Sequence, residues 1–163
     1  MPAPDPIEAL RARAQAIPLD ALARRRIEER LNGLASMRLM GARLDLGDPD
    51  VVRIGLAEVA EHHLGGLGTT AVNGALIAGL FDVALGVAGT LQFGGQRAGT
   101  AELSIKLMRP AFEPPLEVLA ITVKHSPHLA FTAAELYSER RLCAIATGIV
   151  ALATSQQDGD TYW

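Results

Sequence analysis

Residues 74 to 91 read GALIAGLFDVALGVAGTL: 12 apolar residues, four glycines, one threonine and a single charge, Asp82. A run of this length suits either a membrane span or the buried core helix of a small domain. Asp82 at its centre argues against the span, because a carboxylate inside a bilayer is expensive. On a helix, Ala75, Gly79, Asp82, Gly86 and Gly89 share one stripe, and Leu76, Leu80, Val83, Val87 and Leu91 the next. A glycine in a helix costs ~1 kcal/mol relative to alanine, so the small stripe predicts another backbone close by. A sheet of the same chain would meet that need. So would a second copy of the helix across a two-fold axis, and the spacing does not choose between them.

The flanking segments alternate with period two. Met37, Leu39, Gly41, Leu44 and Leu46 predict a first strand, and VVRIGLAEV after the GDPD turn (47–50) a second. Beyond the apolar run, RAGTAELSIKLM, LEVLAITVKH, LAFTAAELY and RLCAIATGIVALAT predict four more strands. The short connections SPH (126–128) and SERR (138–141) make the last three an antiparallel meander. Before all of this, Ile7, Leu10, Ala14 and Ile17 have helical spacing. Asp20 then reads as the N-cap, and Gly33 as the stop, of a second helix. Its Arg24-Arg25-Arg26 run is read as a solvated helix face. The prediction is an α+β fold in which an antiparallel sheet wraps one long central helix. The expected layout is an N-terminal helical extension (1–33), the main domain (34–155) and a tail (156–163).

Composition excludes several functions. With 163 residues and a net charge of −3, the chain fits one domain and carries no basic footprint for nucleic acid. Its single cysteine, Cys143, rules out an intrachain disulfide and is expected as a small buried hydrophobe. The opening MPAPDPIEAL lacks a basic segment before an apolar stretch, so a cytoplasmic location is expected. The four histidines have no cysteine or paired carboxylates at ligand spacing, so no metal is expected.

The chemistry concentrates on the central helix. Its first backbone N–H groups lack intrahelical partners and carry the positive end of the helix dipole. Gly74 lets a substrate oxygen approach them, as in an oxyanion hole built from backbone. Asp82 must be hydrogen-bonded, paired or functional if it is buried. Eight residues separate the two, about 12 Å along a helix, so they cannot serve one carbonyl within one protomer. If both act, each site takes Gly74 from one chain and Asp82 from another.

VNGALIAGLFDVALG resembles the helix motif His-Gly-Gly-x5-Leu-x-Asp-x3-Gly of the hotdog-fold thioesterases, in particular the phenylacetate-degradation (PaaI-like) type. AELSIKLMRPA resembles the strand that follows that helix, and VRIGLAEVAEHHLGG the strand and loop that precede it. The resemblance covers residues 34 to 153. It implies a hotdog fold and hydrolysis of acyl-CoA thioesters at the interface of a homodimer, within a homotetramer. By position, Asp82 becomes the general base or nucleophile and the Gly74 N–H the oxyanion donor. Thr100 falls where relatives place an assisting Ser or Thr. Asn73 stands where the family commonly has His; it can donate a hydrogen bond but cannot shuttle protons. The loop before it is about two residues longer than in relatives and lacks their Asn. His62, His63, Lys124, His125 and His128 are the substrate-binding candidates, the last three toward the CoA phosphates. No cofactor is implied beyond the CoA of the substrate. The rival expectation is a non-catalytic acyl-CoA-binding or regulatory protein of the same fold.

Overall fold

A computed structural model describes residues 6–66, 68, 70–94 and 96–153. The expected tail (156–163) lies outside these residues. Three helices come first: α1 (Pro6–Arg11), α2 (Ala21–Asn32) and α3 (Ala35–Met40). Strands β1 (Arg43–Asp45) and β2 (Val52–Leu56) follow, then a 3₁₀ turn at Glu61–His63 and a small hairpin, β3 (Leu64–Gly66) with β4 (Ala71–Val72). The apolar run forms α4 (Gly74–Thr90) and a closing 3₁₀ turn, Leu91–Phe93. Strands β5 (Ala98–Leu107), β6 (Leu116–His125), β7 (Leu129–Ser138) and β8 (Arg141–Leu152) complete the chain. The main sheet has the order β1-β2-β6-β7-β8-β5, and every pairing in it is antiparallel. The expected meander is therefore present as β6-β7-β8.

The segment Gly74–Phe93 has a mean hydropathy of 1.8, enough to cross a membrane by length and composition alone. In the fold it is the core helix. Ile77, Leu80, Phe81, Ala84, Leu85 and Ala88 are buried against the inner face of the sheet, among Val118, Ala120, Leu136 and Ala146. Contact is closest toward the helix C-terminus. A Cβ on Gly89 would lie 2.5 Å from Val150 Cγ2, and one on Gly86 would lie 3.1 Å from Thr100 Oγ1. The Thr122 hydroxyl donates to the Ala88 carbonyl at 2.8 Å, tying β6 to the same turn. These glycines of the small stripe thus answer to the chain's own sheet. Gly79 meets Met40 of α3, where a Cβ would lie 3.3 Å from Sδ.

The N-terminal extension is part of the fold. Leu10 of α1 is buried on the outer face of the sheet with Val51, Leu119, Ile121 and Ala133, while Ile17 enters the main core. The Asp20 carboxylate caps α2 by accepting from the Ala23 N–H at 2.7 Å. Three residues spaced by four along α2 then satisfy the free edge of β1. Asn32 accepts from the Leu44 N–H at 2.8 Å and donates to the Leu44 carbonyl at 2.9 Å. Glu28 accepts from the Leu46 N–H at 2.8 Å, and Arg24 Nε donates to the Leu46 carbonyl at 2.9 Å. Together they replace the strand that an edge would otherwise recruit.

Two expectations need correction. The strand expected from Met37 is helix α3. Met37 is buried while Leu39 is 79% exposed, the opposite of an alternating face. Gly41, at φ 63°, ends the helix in the left-handed region, and only Arg43–Asp45 remain extended. The Arg24-Arg25-Arg26 run is also not wholly solvated. Arg24 is 9% exposed and holds the carbonyls of Leu19 and Leu46, whereas Arg25 and Arg26 are exposed.

Two stability predictions follow from this packing. Gly89→Ala should destabilise the chain by about 1–3 kcal/mol through overpacking, and Val150→Ala in the same chain should restore part of the loss. Urea unfolding of the two single variants and the double variant measures this coupling. Asn32→Ala should cost about 1–2 kcal/mol, because it strands the buried edge groups of Leu44, and unfolding midpoints would show it.

Candidate active site

The start of α4 is fixed by Asn73. Its side-chain oxygen accepts from the Leu76 N–H at 2.8 Å, the usual N-cap bond. Its amide nitrogen donates to the His63 carbonyl at 3.0 Å, with the Leu64 carbonyl at 3.4 Å. Its backbone N–H also donates to the His63 carbonyl, at 2.8 Å. Both ends of the side chain are thus engaged in holding the helix against the preceding turn.

Gly74 is exposed at the first helical position, where an N–H has no intrahelical partner. Its backbone needs no left-handed conformation, as it is absent from the positive-φ glycines. Nor does packing demand glycine, because a Cβ there would meet only Leu107 Cδ1, at an ordinary 3.6 Å. Gly89 is held to glycine by its own chain; Gly74 is not. Leu107, the end of β5, borders the space at Gly74, and the chain just beyond it carries two further exposed apolar side chains, Met108 and Phe112.

Asp82 is exposed two turns further along the same helix. Among the described residues no hydrogen bond or ion pair engages its side chain. Thr100 packs against Gly86, one helical turn beyond Asp82 on the same stripe. The sheet therefore brings Thr100 to the Asp82 side of α4. Gly74 and Asp82 are both exposed within one chain, and their eight-residue spacing keeps them about 12 Å apart along the axis.

The histidines separate into two groups. His62 is exposed, and His63 is buried at 4% exposure, with the two rings edge to face and their centroids 4.0 Å apart. His63 is too enclosed to reach a ligand directly. Its Nδ1 accepts from the Ala60 N–H at 3.0 Å. Lys124, His125 and His128 lie at the β6–β7 turn, beside the opposite end of α4. There His125 helps line a cleft of about 440 Å³ with Gln92, Phe93, Gln96, Ser126 and Pro127. His125 Nδ1 also lies 2.7 Å from Gln15 Oε1. Among the described residues no three His, Cys, Asp or Glu side chains are grouped to hold a metal. Cys143 is buried as expected.

The open edge of the sheet was not foreseen from the sequence. β5 ends the strand order opposite β1, and among the described residues no strand pairs with its outer side. One edge is thus closed by α2, while the other, beside Thr100 and Leu107, is left unpaired.

The thioesterase superfamily matches residues 70–145, from the turn before α4 into β8. A thioesterase from Haemophilus influenzae superposes with a TM-score of 0.74 at 11% identity, covering 89% of this chain and 99% of that one. The PaaI protein of the E. coli phenylacetic acid degradation operon gives 0.69 at 18% identity, covering 83% and 94%. A mutant of the phenylacetic acid degradation protein PaaI from Thermus thermophilus gives 0.63 at 24% identity, covering 72% and 98%. No match is found among curated proteins. The wrapped helix, the sheet order and these likenesses together give the chain a hotdog fold, within which residues 70–145 match the thioesterase superfamily.

Proposed function

We propose that the chain hydrolyses an acyl-CoA thioester at a site shared by two protomers. The observation that carries this is the placement of two exposed residues on α4. Gly74, beside exposed Ala75 at the helix start, and Asp82, two turns on, both face solvent, too far apart for one carbonyl within one chain. The unpaired edge of β5 supports two-fold association, because antiparallel pairing of two such edges would satisfy their free N–H and carbonyl groups. A homotetramer would follow from pairing of such dimers.

In this reading the Gly74 N–H and the start of α4 receive the thioester oxygen as it gains charge. Asp82 of the other protomer takes a proton from water, whose oxygen attacks the carbonyl carbon, or attacks that carbon itself. The carbon–sulfur bond then breaks, and the CoA thiolate leaves. On the direct route, water cleaves the resulting anhydride. Thr100 flanks Asp82 and orients the water. Leu107, Met108 and Phe112 offer an apolar surface to the acyl group. His62 is exposed near the helix start. Lys124, His125 and His128 provide cationic and hydrogen-bonding groups for CoA phosphates. The cleft at His125 begins at Gln92, ten residues beyond Asp82, about 15 Å along the helix axis. The chemistry needs no cofactor, and the chain is assigned to the cytoplasm.

Thiol release from short-chain, medium-chain and aryl-CoA thioesters tests the activity. Asp82→Asn should lower kcat about 100-fold or more while leaving the unfolding midpoint within experimental error. Gly74→Pro is a sharper probe, because proline at the first helical position keeps the helix and deletes only the N–H. It should also lose about 100-fold. Mixing the two inactive variants should restore up to about a quarter of wild-type activity, because random pairing makes about half the dimers mixed, each with one intact site. Full turnover by Asp82→Asn would overturn the assignment. Binding without thiol release would favour the non-catalytic protein. A monomer on size exclusion would remove the shared site.

A further inference from the structure

The 3₁₀ turn before α4 holds a buried histidine that substrate cannot touch. Ala60 and His63 are joined twice: the His63 N–H donates to the Ala60 carbonyl at 2.9 Å, and the Ala60 N–H donates to His63 Nδ1 at 3.0 Å. The turn is then joined to the helix through the His63 carbonyl. That oxygen accepts from the Asn73 N–H at 2.8 Å and from the Asn73 amide at 3.0 Å. Asn73 in turn caps α4 at Leu76. The ring is pressed against the end of α3, where a Cβ on Gly41 would lie 3.4 Å from His63 Cε1. Nε2 is buried with no hydrogen-bond partner.

We propose that His63 is a positioning residue: its neutral ring locks the 60–63 turn, and through Asn73 that turn sets the direction of the Gly74 N–H. The link to catalysis rests on the function proposed above. The Ala60 contact requires a bare Nδ1, so the neutral ring carries its proton on Nε2. Protonation would set an Nδ1–H against the Ala60 N–H, two donors facing each other. The turn would then lose the bond that closes it.

The surroundings favour the neutral form. Burial pushes the His63 pKa below its ordinary 6.5, the charge of neighbouring His62 pushes the same way, and the Met40 carbonyl opposes them. His62 is the titratable group that acts on the ring; α3 presents the Met40 carbonyl and the Gly41 backbone. The folded chain therefore binds this proton less readily than the unfolded chain. The stability it contributes is complete above 6.5 and is lost as pH falls through the lowered folded value.

The test compares wild type with His63→Asn and His63→Leu. Asparagine places an oxygen near the position of Nδ1 and does not titrate; leucine fills the space without an acceptor. With an acyl-CoA thioester as probe, wild-type kcat should fall toward acid pH with KM nearly constant. His63→Asn should keep kcat within about threefold and begin its acid fall at lower pH than wild type, the remaining fall being the protonation of Asp82, while His63→Leu should lose about tenfold in kcat, the scale of one lost hydrogen bond. An acid fall unshifted from wild type in His63→Asn, or wild-type kcat in His63→Leu, would overturn the proposal. Amide exchange at Ala60 and Leu76 reads the same lock without turnover. Both should exchange about tenfold faster in His63→Leu and at wild-type rates in His63→Asn; an unchanged Leu76 in His63→Leu would overturn the proposal. If wild type releases no thiol, the proposed function fails, and the exchange rates still decide whether His63 positions the helix.

Discussion

The fold depends on how closely α4 can approach its sheet. Gly89 lets the helix backbone settle against Val150, and Gly86 against Thr100. The Thr122 hydroxyl locks the same end to β6. An alanine stripe would have favoured the isolated helix by ~1 kcal/mol per position, but would have held it off the strands. Close approach at the C-terminal end therefore governs where the N-terminal end lies. That end carries Asn73 and Gly74, with Leu107 of β5 beside it. Packing at one end of the helix and chemistry at the other are parts of one constraint.

The second organising fact is the difference between the two sheet edges. β1 is a poor edge to expose, since Leu44 and Leu46 carry buried side chains and free backbone groups. Arg24, Glu28 and Asn32 cover it from a helix, each supplying what a neighbouring strand would have supplied. No such cover is built over β5 among the described residues. Three polar side chains close one edge and leave the other available for the association proposed above. The N-terminal extension also reaches the cleft at the β6–β7 turn, where Gln15 meets His125 and the Ala16 carbonyl accepts from Gln92.

The central helix, the meander and the spacing argument for Gly74 and Asp82 were legible because each rests on a long period or on helix geometry alone. Shorter signals failed. Met37, Leu39 and Gly41 alternate, yet three positions cannot separate a strand from one turn of helix, and Gly41 was the better clue as a left-handed stop. Arg24 sat in a basic run whose exposure was assumed residue by residue; its spacing of four from Glu28 and of eight from Asn32 was the available sign of a common face. The small stripe was ambiguous for a physical reason: a glycine makes room in the same way for a strand of its own chain and for a partner's helix. Only the distances to Val150, Thr100 and Met40 settle it, assigning Gly79, Gly86 and Gly89 to the chain itself; Gly74, off the stripe at the helix start, has only an ordinary contact with Leu107. His63 was read as a ligand group because its burial depends on where α3 ends, which the mistaken strand concealed.

That assignment bears on Asp82. Within one chain its carboxylate is solvated and costs the fold little. In the proposed dimer the surface around it becomes an interface, and a carboxylate losing water without replacement partners would cost several kcal/mol. Association across β5 is therefore tolerable only if the partner brings donors to that point. A helix N-terminus is a source of such donors, with unpaired N–H groups and a positive dipole end. The partner's own α4 has one, opened by Gly74. Once there, the same groups would stabilise Asp82 as an anion and receive the charge of a thioester oxygen. They would then compete for the same donors, so the Gly74 N–H has to be aimed at the substrate and away from the carboxylate. The rigid Asn73 cap, with both ends of its side chain engaged, is suited to enforce that aim.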